Sequence, residues 1–254
     1  MGELIHNSHV ISELENSGIV TINKLPEKGV GICVIRSHGE SNEVFRQIEN
    51  KGYELVDLTC FDVKKVQSKA MELAHDDYLV IILGKAEHPE VIAICANAKA
   101  KAKNPENVII ASSIQDLRRI ENILKSSHKV GVVLQTTQTK EYLFEVIDYL
   151  SSICKILKVQ NTICPSTTLR QEEAKQLAQV SDLMVVVGSK KSANTTHLAQ
   201  LLKDITQTIH IEDENELDNY NEIIKNSLNI GVTAGASTPD NIIQEVINKL
   251  ERTI

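Results

Sequence analysis

Tryptophan is absent from this 254-residue chain, and phenylalanine (three) and tyrosine (five) are scarce. So few aromatic faces argue against a surface on which nucleic-acid bases stack. A net charge of −7 argues against a nucleic-acid backbone or an anionic membrane as the main partner. No apolar run approaches the roughly 20 residues of a membrane span. The first residues, Met1 to His9, have neither the basic start nor the apolar middle of a signal peptide. The expected location is the cytoplasm, with no nucleic-acid and no membrane partner.

Cysteine is also sparing: Cys33, Cys60, Cys95, Cys154 and Cys164. An odd, widely spaced set argues against a disulfide framework, and the lack of any Cys-x-x-Cys pair argues against a zinc ribbon. Cys33, Cys95 and Cys154 lie in apolar surroundings and read as core residues. Cys60 and Cys164 differ, because each ends a strand-like run and opens a helix.

What the chain has in abundance is strand-like runs alternating with helical patterns, the sign of an α/β fold around parallel sheets. The run Tyr78–Gly84 is apolar throughout and rich in β-branched residues, so it reads as a strand buried on both faces. Just past its carboxyl end, where open α/β sheets bind ligands, come His88, Pro89 and Glu90. Taken alone they also read as a polar loop.

The pattern then repeats. Cys60 to Gly84 and Cys164 to Gly188 each span 24 positions, and His88 and Ser192 each follow their cysteine by 28. The duplicated unit is 104 residues long. Its second half predicts a strand at 107–111, one helix over 114–126, and strands ending in Gln135-Thr136-Thr137 and Gly235-Ala236-Ser237. The start of the chain matches the template from its middle onward: His6, a helix over 9–17, a strand over 18–22, and a strand leading to Ser37 and His38. By the same spacing, a third cysteine belongs about 22 residues upstream of Met1.

The prediction is therefore three pseudo-repeated βα lobes (1–56, 57–157 and 158–254) around a central site, the first lobe incomplete. Cysteines brought to one centre suit an iron–sulfur cluster. Strand ends would surround it with His6, His38, His88, Gln135, Thr136, Thr137, Ser189, Ser192, Asn194, Ser237 and Thr238. Dense donors with one carboxylate, Glu90, suit a diphosphate plus one proton transfer. Each hydroxyl alone also reads as a helix N-cap, and Lys190 and Lys191 either add charge or are simply solvated.

Several segments in order carry a family resemblance. They are Thr59-Cys60 with Val63-Lys64-Lys65-Val66, His88-Pro89-Glu90-Val91, Gln135-Thr136-Thr137 and Thr162-Ile163-Cys164. Arg170-Gln171, Gly188-Ser189-Lys190 with Ser192 and Asn194, and Val232–Ser237 continue the set. From about Leu4 to the C-terminus the chain resembles the LytB family of 4-hydroxy-3-methylbut-2-enyl diphosphate reductases. That resemblance implies a three-lobed α/β reductase with a 4Fe–4S cluster on three cysteines, acting last in non-mevalonate isoprenoid synthesis. Its electron donor would be of the ferredoxin or flavodoxin type.

Position by position, the resemblance makes Cys60 and Cys164 cluster ligands. It makes His6, His38, Ser192, Asn194 and Ser237 the diphosphate-binding set, and it puts His88, Glu90 and Thr136 around the substrate's allylic hydroxyl. Glu90 would supply the proton with which water leaves. Four departures stand out: no Gly-Phe-Cys segment at the start, Phe61 for a usual proline, Ile92-Ala93 where a glycine is usual, and Ala193 for a common serine. With one cysteine ligand missing, the alternatives are a non-catalytic diphosphate-binding relative, a fragment unable to hold a full cluster, and an unrelated sugar-phosphate binder.

Overall fold

The computed structural model describes residues 2–27 and 29–253. In chain order the elements begin with α1 (Ser8–Asn16), β1 (Ile32–Ile35), α2 (Asn42–Asn50), β2 (Glu54–Asp57), α3 (Phe61–His75), β3 (Leu79–Leu83) and α4 (Pro89–Lys99). Next come β4 (Val108–Ala111), α5 (Ile114–Arg119), α6 (Glu121–Ser126), β5 (Val130–Leu134), α7 (Lys140–Ser151) and β6 (Leu157–Val159). The chain closes with α8 (Pro165–Ala178), β7 (Leu183–Val187), α9 (Ala193–Lys203), β8 (Gln207–Ile211), α10 (Asn221–Asn226), β9 (Ile230–Ala234) and α11 (Asp240–Thr253). Among the described residues no helix is long and apolar enough to cross a membrane.

The chain divides into two compact units, Met1–Leu4 with Thr21–Cys164, and Ile5–Val20 with Pro165–Ile254. The first holds a two-stranded sheet, β1-β2, and a four-stranded sheet in the order β4-β3-β5-β6. The second holds a three-stranded sheet, β8-β7-β9. All pairings are parallel, as expected where helices connect successive strands.

Burial explains the central strands. Every residue of β3, β5 and β7 is buried, and fully burying one such aliphatic side chain contributes about 1.5–3 kcal/mol. In the first unit, Leu83, Leu134 and Leu150 pack on one face of the four-stranded sheet, and Leu73, Ile82 and Ile94 pack on the other. In the second, Val185, Ile211 and Leu250 fill one face, and Met184, Val186 and Leu202 the other.

The duplication is visible in topology. β4-β3-β5 and β8-β7-β9 have the same order, and β3 and β7 start 104 positions apart. Each repeat's opening strand crosses into another sheet: β2 pairs with β1 and β6 with β5. These two strands lead directly to Cys60 and Cys164.

Two local expectations fail. Residues 18–22 form no strand; the Gly18 and Ile19 N–H groups donate back to the Glu15 and Leu14 carbonyls of α1, the Ile22 carbonyl accepts from the Gly2 N–H, and Ile19 and Val20 are exposed. The helix expected over 114–126 is two, because Ile120 (φ −106°, ψ 15°) leaves the helical region and caps both pieces. Its side chain packs with Leu117 and Leu124 in the core.

Candidate active site

In the first unit the site is built where β3 turns into α4. A Cβ on Gly84 would lie 2.7 Å from Val91 and 2.8 Å from the Gln135 carboxamide oxygen, so only glycine lets the loop lie this close. Gln135 then accepts from the Lys85 N–H (3.3 Å) and donates to the Thr137 hydroxyl (3.2 Å). His88 is the N-cap of α4, and its Nδ1 accepts from the Glu90 N–H at 3.2 Å. That bond puts the neutral ring's proton on Nε2. Pro89 fills the first helical position, where a missing N–H costs nothing.

Glu90 follows in the first turn and is 1% exposed. Its carboxylate accepts from the Thr136 N–H (2.7 Å) and the Thr136 hydroxyl (2.9 Å). Burial raises its pKa to about 7, against the lowering effect of those two bonds. A carboxyl poised near neutrality holds its proton at working pH and can give it up, which is what a general acid needs. The His38 ring lies edge-on to His88, centroids 5.2 Å apart.

Both cysteines are fastened to this group by their backbones. The Cys60 N–H donates to the Ser37 carbonyl (3.0 Å), next to His38, and the Cys164 N–H donates to the Thr136 carbonyl (2.9 Å). Cys60 caps α3, and Cys164 immediately precedes α8. The turn into Cys60 is set by Asp57, which accepts from the N–H and hydroxyl of Thr59. The strand before Cys164 is clamped by Thr162, whose hydroxyl bonds both the N–H (2.8 Å) and the carbonyl (2.7 Å) of Leu134.

Cys60 is exposed, Cys164 half-buried, and both thiols are free. Cysteine side chains are the ligands that hold iron–sulfur clusters, and both residues stand where a strand end opens a helix. These two residues therefore fit two ligand positions of an iron–sulfur cluster. Cys33, Cys95 and Cys154 pack against the hydrophobic cores instead.

The second unit carries its own set, where β7 turns into α9. Ser192 is the N-cap, its hydroxyl accepting from the Thr195 N–H at 3.4 Å. Asn194 and Thr195 in the first turn are buried. The Asn194 Nδ2 and the Thr195 hydroxyl have no hydrogen-bond partner among the described residues. Unmatched buried donors beside a helix N-terminus suit an anionic ligand. A Cβ on Gly235 would collide with the Thr195 hydroxyl, so the loop after β9 needs glycine to lie against α9. Asn7, the N-cap of α1, donates from Nδ2 to the Ser237 carbonyl at 3.1 Å, which ties the chain at His6 to that loop. The Lys190 ammonium is paired with Glu216 at 2.6 Å, and this bond raises its pKa.

Asn7 and Thr195 were not singled out by sequence reasoning. One signal was available: Thr167 and Gln171, four apart on α8, are buried polar residues where an ordinary helix would place apolar ones, and the Gln171 Nε2 has no partner among the described residues.

The LytB protein family model matches residues 1–251. The chain is 38% identical over 252 residues to the 4-hydroxy-3-methylbut-2-enyl diphosphate reductase of Citrifermentans bemidjiense, spanning 98% of this chain and 85% of that relative. It is 35% identical to the same-named protein of Aquifex aeolicus over 99% of this chain and 84% of the relative. A solved (E)-4-hydroxy-3-methyl-but-2-enyl diphosphate reductase superposes with a TM-score of 0.69 at 34% identity, covering 99% of this chain and 87% of the other. The corresponding reductase of Plasmodium falciparum superposes with a TM-score of 0.88 at 26% identity, over 97% of this chain and 76% of the other. With the motifs, the lobed α/β fold and these relatives in agreement, the chain belongs to the LytB family.

Proposed function

We propose that this protein removes the allylic hydroxyl of 4-hydroxy-3-methylbut-2-enyl diphosphate, giving isopentenyl and dimethylallyl diphosphate. The observation that carries the reading is Glu90: a buried carboxyl with a pKa near 7, held by Thr136, whose own carbonyl accepts from the backbone N–H of the strand-end Cys164. A simple diphosphate-binding module has no use for such an acid.

The reaction breaks one C–O bond and forms one C–H bond, consuming two electrons and two protons and releasing water. Glu90 gives one proton to the departing hydroxyl oxygen, and Thr136 holds the carboxyl toward it. His88 orients the hydroxyl end, and His38 belongs with the diphosphate-binding set. Ser192, Asn194, Ser237 and His6 hold the diphosphate, the orphaned Asn194 Nδ2 gaining an acceptor. Cys60 and Cys164 are two thiolate ligands of an iron–sulfur cluster of the 4Fe–4S type, and when bound this group supplies electrons and Lewis acidity at the hydroxyl. A reduced ferredoxin- or flavodoxin-type protein delivers the electrons, and the reaction takes place in the cytoplasm.

The test is anaerobic reconstitution of the purified protein with iron and sulfide, followed by assay of both five-carbon diphosphates with a reduced viologen. Formation of both products supports the reading. Substrate binding without turnover would favour the non-catalytic diphosphate-binding alternative.

A further inference from the structure

We propose that Asn97 is a positioning residue for the candidate site. From the body of α4 it fastens the loop that carries His38, and it thereby sets the spacing of His38 and His88. The inference rests on the reading of His38 as part of the diphosphate-binding set, and every residue it uses lies in the first unit.

Beyond Glu90, the buried residues of α4 are the apolar Val91, Ala93, Ile94 and Ala98, with one exception, Asn97. Asn97 is 2% exposed and stands seven positions after Glu90, on the same face about two turns further on. Asparagine is less favourable than alanine in a helix interior, and burying its carboxamide unpaired would cost about 1–3 kcal/mol. A purely structural contact between α3 and α4 would be served by one more apolar side chain. The bonds of Asn97 go instead to the loop after β1.

The Asn97 Oδ1 accepts from the Asn42 N–H at 2.7 Å, and the Nδ2 donates to the Glu40 carbonyl at 3.4 Å and the Gln67 Oε1 at 3.3 Å. Asn42 opens α2, so its N–H has no partner within the helix, and the Ser41 cap accepts from Val44 instead. Two of the three bonds therefore grip the chain two and four positions past His38. On the near side of His38, the Ser37 carbonyl is held by the Cys60 N–H at 3.0 Å. Arg36 and Glu40 bridge across the loop at 2.8 Å. Gly39, at φ +74°, lets the loop lie close: a Cβ there would be 2.7 Å from the Gln67 Nε2 and 2.9 Å from Thr59. Helix α4 thus carries His88 at its head and holds the His38 loop from its interior. One helix places both rings, which meet edge-on with centroids 5.2 Å apart.

The test reads the nuclear Overhauser cross-peak between the ring protons of His38 and His88 in the unliganded, histidine-labelled protein, and then the affinity for inorganic pyrophosphate by calorimetry. Asn97→Leu keeps a similar volume and removes all three bonds. The expected result is a folded protein, judged by circular dichroism, that has lost the cross-peak. It should bind pyrophosphate at least about threefold more weakly, a part of what one hydrogen bond to a charged group is worth. Gln67→Met alters the same contact between α3 and α4 but leaves both loop bonds, so it should keep the cross-peak and the wild-type affinity. Should Asn97→Leu fail to fold, Asn42→Pro decides with the same two readings. Proline suits the first position of a helix, and it removes the N–H that Asn97 holds. A cross-peak that survives in folded Asn97→Leu or Asn42→Pro overturns the proposal. So does a lost cross-peak with unchanged pyrophosphate affinity, which would make Asn97 structural. Equal losses from Gln67→Met overturn it as well, because helix packing and not the loop bonds would then set the spacing. The cross-peak needs no ligand: a wild-type protein that bound no pyrophosphate would count against the functional reading, and the cross-peak would still decide the role of Asn97.

Discussion

Thr136 donates twice to Glu90, through its backbone N–H at 2.7 Å and its hydroxyl at 2.9 Å. The two residues are 46 positions apart, and the contact joins the strand-end loops after β3 and β5. Both bonds favour the ionised carboxylate, and burial opposes them. Burial prevails, yet Thr136 keeps the Glu90 pKa within reach of neutrality.

Removing one of those bonds should move the balance further. Thr136→Val deletes the hydroxyl and keeps the N–H, so the Glu90 pKa should rise above its value of about 7. Thr136→Ser should restore it. Carbon-13 NMR of labelled glutamate measures the shift directly; a titration lower in Thr136→Val than in wild type contradicts the assigned cause.

Stability should carry the same signature. The Glu90 pKa is raised from 4.5 to about 7 on folding, so between those values the folded state binds more protons. Unliganded stability therefore falls as pH rises through this window, by on the order of 3 kcal/mol in total. Glu90→Gln has no such proton to lose. Relative to wild type it should gain stability from pH 4 to pH 8, measured by urea unfolding at each pH.

Asn194→Ala should separate binding from folding. Its Nδ2 is buried and unmatched, so deletion should leave the unliganded melting temperature unchanged or slightly higher. Inorganic pyrophosphate, read by calorimetry, should bind about 10–100-fold more weakly, the worth of one hydrogen bond to a charged group. A lowered melting temperature with unaltered binding would make Asn194 structural.

Cys60→Ser and Cys164→Ser should each lower iron and sulfide retained per chain after anaerobic reconstitution. Cys95→Ser and Cys154→Ser should not, because those side chains pack against the cores. Equal losses from all four would show that the drop reflects general destabilisation.

Much of this was legible in the sequence because repeated spacings report repeated geometry. The β-branched run at 79–83 and the equal cysteine-to-glycine spacings located β3, β7 and their turns. His88, Glu90 and Thr136 were legible because they sit at strand ends, which the repeat marks. Asn7 was not, because its contact with Ser237 spans 230 positions and an Asn before a helix reads as an ordinary cap. Neither was the kink at Ile120, which the apolar spacing of Leu117, Ile120 and Leu124 presents as one continuous helix. The strand over residues 18–22 failed for a related reason: β propensity makes a strand only where a neighbour supplies a ladder.

The central claim is that Glu90 delivers the proton, and Glu90→Gln in the reconstituted protein tests it most directly. The substitution keeps shape and hydrogen bonding and removes the acid. Turnover should fall by about 10²–10⁴, while substrate affinity changes by less than about tenfold because the diphosphate donors are untouched. Turnover left intact with affinity lost would contradict the account and make Glu90 a positioning group.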